Sequence, residues 1–309
     1  MKSFVSLTFL VFISFCSAQE PSDKSFLFIS DTQQPLWIET FRLEQHDNET
    51  ATQKLFSAMA KESSAVALFH LGDITGLGMI NSSWRSFDTL RTLLNFPVYP
   101  AYGNHEYFFI ASLGKEQTLK RFPFLDPSWY VRRIGYAAII ILNSNFSKLS
   151  DSEIAKQDSW YRAQLTELEN DSTVKAIIVG CHHSPYTNST IVNSDKEVQR
   201  RFVPSFKQCA KTILFISGHA HTYEHFHFDN KDFLVIGGGG GLQHPLQNAV
   251  ERQWNDISSP ESQRRFFHYV RCDVRKNDML LQIKMLKNDF SKFEIVDEIS
   301  IPYTHNLHP

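Results

Sequence analysis

The sequence predicts an α/β fold, with two β-sheets covered by helices within a single domain. Three observations predict this class. Apolar runs that end in short polar turns recur along the chain, segments with helical spacing lie between the first of these runs, and the C-terminal third alternates apolar and polar residues. Nearly continuous apolar strands that alternate with helices are typical of sheets that are buried on both faces.

The buried strands are predicted where an apolar run stops at a polar turn. They are Phe26–Ser30, Val66–Leu71, Val98–Tyr102, Ala137–Leu142, Ala176–Cys181, Ile213–Ser217 and Phe233–Ile236. The helical patterns are Thr50–Glu62, Trp84–Leu94 and Ser150–Leu168. The last helix opens with Ser150 and Glu153 at the spacing of a capping box, in which each side chain accepts a hydrogen bond from the other residue's backbone N–H.

The C-terminal third predicts an antiparallel meander. The stretches "FFHYVRCDV", "MLLQIKML" and "KFEIVDEISI" alternate apolar and polar residues and are separated by short polar turns such as Lys276–Asp278. Alternation of this kind is typical of strands with one buried face. Since the sequence contains no linker-like, low-complexity or repeated segment, one domain with two sheets fits best.

The first 18 residues predict a secretory signal peptide. Lys2 precedes an apolar run from Phe4 to Phe15, and small residues lead to a cleavage point after Ala18. The apolar run is shorter than the ~20 residues that a bilayer requires, so we expect no transmembrane anchor after cleavage. Residues 19–309 are then a single domain, and the protein is exported to a periplasm or secreted.

The net charge of the chain indicates which kind of ligand the protein binds. A formal net charge of -2 argues against nucleic acid as a partner, because nucleic-acid-binding proteins carry basic surfaces. The same charge is compatible with a small anionic substrate, because bound metal ions can supply local positive charge. We therefore expect a small substrate and no nucleic acid; the oligomeric state stays open.

Polar side chains follow successive predicted strands at the points where the strands end. The ends of parallel strands meet at one edge of a sheet, where ligands bind in open α/β folds. The glycines of "GNHE" and "GHAH" allow backbone angles that direct neighbouring side chains toward one point. These side chains are Asp31, Gln33, Asp73, Asn104, His105, Glu106, His182, His183, His219 and His221.

The donor types indicate the chemistry of this site. Carboxylate, amide and imidazole groups without thiolates suit Mn, Fe or Zn ions. The donors are too many for one tetrahedral zinc ion and suit two divalent or trivalent cations that share a carboxylate, ~3.5–4 Å apart. Such a pair lowers the pKa of a bridging water and holds the oxygens of a phosphoryl group during in-line attack.

The motifs "SDTQ", "GD", "GNHE", "CHHSPY" and "GHAHTYE" together resemble those of the calcineurin-like metallophosphoesterase superfamily, in the same order and over nearly the whole mature chain. The resemblance implies a four-layer αββα sandwich of two mixed β-sheets flanked by helices, with a dinuclear site between the sheet edges. It also implies a hydrolase of phosphate esters, in which a metal-bridging hydroxide attacks phosphorus in line.

The resemblance implies a role for each residue of the site. Asp73 is the bridging carboxylate. One metal is bound by Asp31, Gln33 and His221, and the other by Asn104, His182 and His219. His105 is not a metal ligand in this scheme and acts as general acid or phosphate contact, so Asp73 and His105 are the predicted catalytic residues. Asn104, His105 and His183 are the predicted substrate contacts.

The pair of adjacent histidines leaves a choice of metal ligand. Strand alternation puts Gly180 and His182 on one face of the strand and Cys181 on the other. His182 follows the strand directly and is the preferred ligand, which leaves His183 to contact the substrate or to support the ligands. His183 as the ligand is the alternative.

Gln33 departs from the pattern of the family, which usually has Asp-x-His where this chain has Asp-x-Gln. A cation would neutralise Asp31, and the amide oxygen of Gln33 is a hard neutral donor. We expect a weaker first metal site that prefers Mn or Fe to Zn. Alternatively, Gln33 binds no metal and forms a hydrogen bond with Asp31 or a water molecule.

The C-terminal motifs are most similar to those of the branch that includes purple acid phosphatases. This similarity favours monoester substrates. That branch has a tyrosine ligand shortly after the bridging aspartate, and this chain has "GDITGLG" there. The alternatives are a phosphodiesterase acting on nucleotide or lipid derivatives and a non-catalytic metal-binding protein on the same scaffold.

Two further stretches lie near the predicted site. The glycine run 237–241 lacks the features of a nucleotide-binding loop and predicts close approach of the backbone to the metal ligands. The aromatic residues that follow the metal-binding strands either line the pocket or fill the core. These aromatic residues are Trp37, Tyr107, Phe108 and Phe109.

Overall fold

The computed structural model describes residues 24–35, 47–248, 250–258 and 266–303. The predicted signal peptide, residues 1–18, and Trp37 lie outside the described residues. Within the described ranges, no helix combines the length and the apolar composition needed to cross a bilayer.

The described residues form twelve strands and six α-helices. The strands are β1 (Lys24–Ile29), β2 (Ala65–His70), β3 (Val98–Pro100), β4 (Tyr130–Ile134), β5 (Ala137–Ile141), β6 (Ala176–Cys181), β7 (Thr212–Ser217), β8 (Tyr223–Phe228), β9 (Lys231–Ile236), β10 (His268–Val274), β11 (Asp278–Leu286) and β12 (Phe293–Pro302). The helices are α1 (Asn48–Met59), α2 (Arg85–Leu90), α3 (Ala111–Arg121), α4 (Asp151–Asn170), α5 (Lys196–Arg201) and α6 (Val203–Gln208).

The strands form two mixed sheets of six strands each. The first has the order β12-β11-β10-β1-β2-β3, and the second has the order β4-β5-β6-β7-β9-β8. Strands β1, β2 and β3 are parallel, and so are β5, β6, β7 and β9. The predicted C-terminal meander is present as β10, β11 and β12, and it joins the first sheet through an antiparallel pair of β10 with β1.

Alternate residues of the second sheet face two different cores. Ile139 and Ile178 belong to the hydrophobic cluster that also contains β1 and α1, whereas Ile140 and Val179 belong to the cluster that contains α4, α5 and α6. The period of two along a strand explains this division. Because both faces of the sheet are covered, its central strands are apolar throughout, and the predicted α/β sandwich of two mixed sheets flanked by helices is confirmed.

The helix α4 begins where the sequence predicted. The Ser150 side chain accepts a hydrogen bond from the backbone N–H of Glu153, and the Glu153 carboxylate accepts one from the backbone N–H of Ser150. The predicted capping box is therefore confirmed. The predicted helix over 84–94 is instead the short helix α2 between two 3₁₀ turns, Asn81–Trp84 and Arg91–Leu93.

Two strands were missed because they lack an apolar run. β4, with the sequence YVRRI, and β8, with the sequence YEHFHF, are the outer strands of the second sheet. Edge strands are partly solvated and often carry charged or polar side chains. Arg132 in β4 stacks on the Tyr99 ring at 4.9 Å, which is a tertiary contact that periodicity does not reveal.

Candidate metal centre

The loops that follow β1, β2, β6 and β7 meet where the two sheets adjoin, and we refer to this place as the sheet junction. Backbone hydrogen bonds join these loops in pairs. Within the first sheet the N–H of Asp31 donates to the carbonyl of Gly72 at 3.0 Å, and within the second the N–H of Gly218 donates to the carbonyl of His182 at 2.9 Å. All seven predicted metal ligands lie in or beside these loops.

Asp73 lies at the centre of one group of donors. Its side chain is buried, and its Oδ2 is 3.2 Å from Nε2 of His182. The same Nε2 is 3.0 Å from Oδ1 of Asn104. The backbone N–H of His105 donates to Oδ1 of Asp73 at 2.8 Å. A carboxylate, an amide and an imidazole from three loops therefore converge.

Asp31 lies at the centre of a second group. Nε2 of His221 is 3.4 Å from Oδ1 of Asp31 and 3.2 Å from the amide nitrogen of Gln33. The backbone N–H of His219 contacts both carboxylate oxygens of Asp31, at 3.2 and 3.0 Å. The structure thus places Gln33 beside the imidazole nitrogen that a cation bound at Asp31 would also contact.

Backbone carbonyls orient two of the imidazoles. Nδ1 of His182 donates to the carbonyl of Leu71 at 2.9 Å, and Nδ1 of His221 donates to the carbonyl of Leu242 at 2.7 Å. Since a carbonyl only accepts, both rings carry a proton on Nδ1, so Nε2 either donates to the carboxylate when the ring is charged or offers a lone pair to a cation when the ring is neutral. Orientation of this kind is usual for histidines that bind metals.

In the described part of the chain, there are two sets of three side chains whose possible ligand atoms lie within 4.8 Å of one another inside each set. One set consists of Asp31, Asp73 and His182, and the other of His182, His183 and His219. His182 belongs to both sets. His183 belongs to one, and its Nδ1 is 2.8 Å from Oγ of Ser144, which also accepts its backbone N–H at 3.0 Å.

Glu106 holds the loops of this site together. Its carboxylate accepts the backbone N–H groups of Asp73, Ile74 and Gly103 at 2.9, 2.8 and 2.7 Å. Burial, followed by the charge of Asp73, raises the pKa of Glu106 to about 7. The sequence placed Glu106 at a strand end without a role. Its position in "GNHE" was the available signal.

The backbone is strained at several of these residues. Asp31, Asp73 and His219 have φ angles of 59°, 53° and 66°, in the left-handed region that residues other than glycine seldom adopt. Gly72 has a φ of 94°, and a Cβ atom at this position would lie 2.5 Å from the backbone nitrogen of Gly103. Strain of this kind is concentrated at functional sites.

The glycine run approaches the ligands as predicted. The N–H of Gly239 donates to the carbonyl of Ser30 at 2.9 Å, and the N–H of Gly241 donates to the carbonyl of Asp31 at 2.8 Å. His244, which follows the run, stacks on the His221 ring with centroids 4.4 Å apart. The run is therefore part of the wall that holds the Asp31 group.

Imidazoles balance the charge of the two carboxylates. Burial by itself raises the pKa of Asp31, but the hydrogen bond and charge of His221 outweigh it, so this pKa is lowered. The pKa of Asp73 is also lowered, because the charges of His182 and His105 outweigh burial. Burial by itself lowers the pKa of His182, but the negative charge of Asp73 outweighs burial and raises this pKa to about 9. Cations compete with protons for such donors.

The sequence matches the family model of the calcineurin-like phosphoesterases over residues 24–223, which is more than half of the chain. The chain therefore belongs to the calcineurin-like phosphoesterase family. It is a metal-dependent hydrolase of phosphoric esters.

Three solved structures share the fold. GAP50, the anchor in the inner membrane complex of Plasmodium, is 14% identical with a TM-score of 0.68, and the match covers 91% of this chain and 89% of that protein. The purple acid phosphatase PPD1 from yellow lupin is 16% identical with a TM-score of 0.67, over 91% of this chain and 54% of the lupin enzyme. A dimetal phosphatase from Danio rerio is 14% identical with a TM-score of 0.58, over 91% of this chain and 99% of that protein.

The two adjacent histidines give a matched pair of variants. We predict that His182→Ala weakens binding of Mn²⁺ by more than about 100-fold, because a donor shared by both sets of ligand atoms is lost. His183→Ala is expected to weaken binding less, by about 10- to 100-fold, the usual effect of removing a group that supports the ligands. Titration calorimetry of the metal-stripped proteins measures both. The opposite ranking would make His183 the ligand.

Proposed function

We propose that this phosphoesterase is an exported enzyme that hydrolyses phosphate monoesters at a dinuclear centre bridged by Asp73. One observation carries the proposal: the donors of both sheets converge on two buried carboxylates, with His105 beside Asp73. The predicted signal peptide supports export, and the C-terminal motifs that resemble those of the purple acid phosphatases support monoesters.

The donor set fits two cations of the Mn, Fe or Zn type, because it combines carboxylates, amides and imidazoles. Asp31, Gln33 and His221 would hold one cation, and Asn104, His182 and His219 the other, with Asp73 shared. When bound, the two cations acidify a water molecule and neutralise charge on the phosphoryl oxygens. Gln33 in place of a histidine makes the first position the weaker one for Fe and Zn ions, because these ions favour an imidazole nitrogen over an amide oxygen.

The contacts of His105 suit a proton donor to the leaving group. Its Nδ1 donates to the carbonyl of Gly76 at 2.8 Å, which leaves Nε2 as the nitrogen that exchanges a proton with the substrate. Nε2 is 3.8 Å from Oδ2 of Asp73. As the bond between phosphorus and the ester oxygen breaks, the proton passes from Nε2 to that oxygen, and water supplies the hydroxyl group gained by phosphorus.

Asn104 and His183 complete the proposed substrate contacts. Asn104 directly precedes His105 in the chain, and its Oδ1 is 3.0 Å from Nε2 of His182. Its amide can therefore both bind the second cation and face the phosphoryl group. His183 is fixed by Ser144, and its ring centroid is 4.5 Å from that of His219. A fixed imidazole at this place supplies a hydrogen-bond donor for a phosphoryl oxygen.

A scaffolding role on the same fold is the principal alternative, and the similarity to the Plasmodium anchor protein is the observation that favours it. The donors retained at the sheet junction favour catalysis. Clusters of buried carboxylates and imidazoles with shifted pKa values are concentrated at functional sites.

The proposed specificity for monoesters predicts which of two test substrates the enzyme hydrolyses faster. We expect a higher kcat/KM for phenyl phosphate than for diphenyl phosphate, since a monoester presents more negative charge to two cations. Disappearance of each substrate, followed by chromatography, measures the two reactions, because the phenyl phosphate formed from the diester is itself a substrate. A preference for the diester would replace the proposed substrate class with phosphodiesters.

The role of His105 predicts the effect of two substitutions. His105→Asn keeps a donor toward the carbonyl of Gly76 and removes Nε2, whereas His105→Ala removes both nitrogens. We expect each variant to lose about 100- to 10,000-fold in kcat, the usual contribution of a positioned acid. Metal content should stay at the level of the unmodified protein. An asparagine variant that keeps full activity would exclude Nε2 as the proton donor.

A further inference from the structure

A pair of aromatic side chains lies on the surface beside His105. The Phe108 ring stacks on the His105 ring, with centroids 5.7 Å apart and an interplanar angle of 26°. The Phe109 ring contacts that of Phe108 at 4.4 Å, and 75% of Phe109 is exposed. The buried ring in this stretch is that of Tyr107, so two of the aromatic residues noted in the sequence do not fill the core.

The backbone of the exposed residue Phe109 has an unusual conformation. Its φ angle is 60°, in the left-handed region that is unfavourable for a bulky side chain. Backbone strain of this kind persists where the surrounding structure enforces it, and it is frequent at functional sites. The two phenylalanines therefore extend outward from the imidazole of His105 as a ring-on-ring series.

Other apolar side chains enlarge this surface. We call the set the apolar rim; its members are Ile80, Phe108, Phe109, Ile110 and Leu113, each of them exposed by more than a third. The two segments that supply these residues are in contact around His105. The N–H of Gly78 donates to the carbonyl of His105 at 3.0 Å, and Gly114 lies against the carbonyl of Glu106 and near the nitrogen of Met79. Contiguous exposed apolar surface of this kind marks a binding site.

We propose that the apolar rim binds the leaving group of the substrate and that this leaving group carries an aromatic ring. The inference rests on the proposed function, in which His105 protonates the ester oxygen. Whatever is attached to that oxygen lies next to His105, and Phe108 is the side chain that stacks on His105. A flat ring attached to the oxygen can pack against Phe108 and Phe109, whose rings meet edge to face with an interplanar angle of 60°.

The charges nearby favour a small aromatic group over a lipid surface. Membrane surfaces are usually recognised by clusters of unpaired lysine and arginine residues. The helix α3, which supplies Leu113, carries three basic residues: Lys120 is paired with Glu116 and Arg121 with Asp88, each at 2.7 Å, so together with Lys115 they do not form a cluster of unpaired cations. The chain as a whole has a net charge of -2. Contact with the imidazole of His105 also places the rim within the active site.

Two monoesters whose parent alcohols have similar acidity test the proposal. Phenethyl phosphate and ethyl phosphate differ in the ring alone, so the ratio of their kcat/KM values isolates its binding. We expect the unmodified protein to prefer phenethyl phosphate. In Phe109→Asn, which tolerates the left-handed backbone, this ratio should fall by about tenfold, the effect of removing part of a ring contact. Phe109→Leu should keep part of the preference.

Leu93→Asn is the matched control, because Leu93 is an exposed apolar residue that precedes β3 at the opposite end of the sheet. It should leave the ratio unchanged. Equal loss on both esters in Phe109→Asn would overturn the proposal and leave the proposed function standing. An unchanged ratio, combined with loss of sedimentation with phosphatidylcholine vesicles, would overturn it in favour of a lipid contact. No hydrolysis of either ester by the unmodified protein would overturn both.

Discussion

The two carboxylates of Asp31 and Asp73 are buried at the sheet junction, and the rest of the site depends on balancing their charge. Removing an ionised carboxylate from water is costly unless a partner of opposite charge and several hydrogen bonds replace the solvent. Here the partners are imidazoles and backbone N–H groups, which are also suitable neighbours for a bound cation. The same arrangement that keeps the acids ionised also suits them to bind a cation.

The two-sheet architecture supplies these partners from both sides. Asp31 and Asp73 follow strands of the first sheet, whereas His182 and His219 follow strands of the second. The fully buried strands of both sheets fix the distance between these loops, because a closely packed core has low compressibility. Glu106, at the base of the junction, binds three backbone N–H groups and so sets the position of Asp73 relative to the loop that carries His105.

The parts of this arrangement that sequence could predict are those with a local signal. Apolar strands, the capping box of Ser150 and the polar residues after each strand are visible in short windows, and together they gave the fold class and the members of the site. Alternation along β6 also predicted the direction of His182, whose ring reaches the carbonyl of Leu71 in the other sheet. Such features depend on residues that are near one another in the chain.

The remaining features lack an apolar run or depend on contacts between distant residues. The edge strands β4 and β8 carry arginine, histidine and glutamate instead of an apolar run, and each pairs with the next strand of the chain across a two-residue turn. The resemblance to the family placed Gln33 and His221 at one cation, but the hydrogen bond between the two side chains, which are 188 positions apart, was not predicted. The exposure of Phe109 follows from a left-handed backbone angle that no composition rule foretells for phenylalanine.

The proposal that two cations share the carboxylate of Asp73 is tested most directly by the EPR spectrum of the metal-stripped protein reloaded with Mn²⁺. Two Mn²⁺ ions held ~3.5–4 Å apart by a common ligand interact magnetically. We predict uptake of about two equivalents per chain and a spectrum of coupled Mn²⁺ ions. Uptake of a single equivalent, or a spectrum that contains isolated Mn²⁺ ions alone, would contradict a centre in which Asp73 bridges two cations.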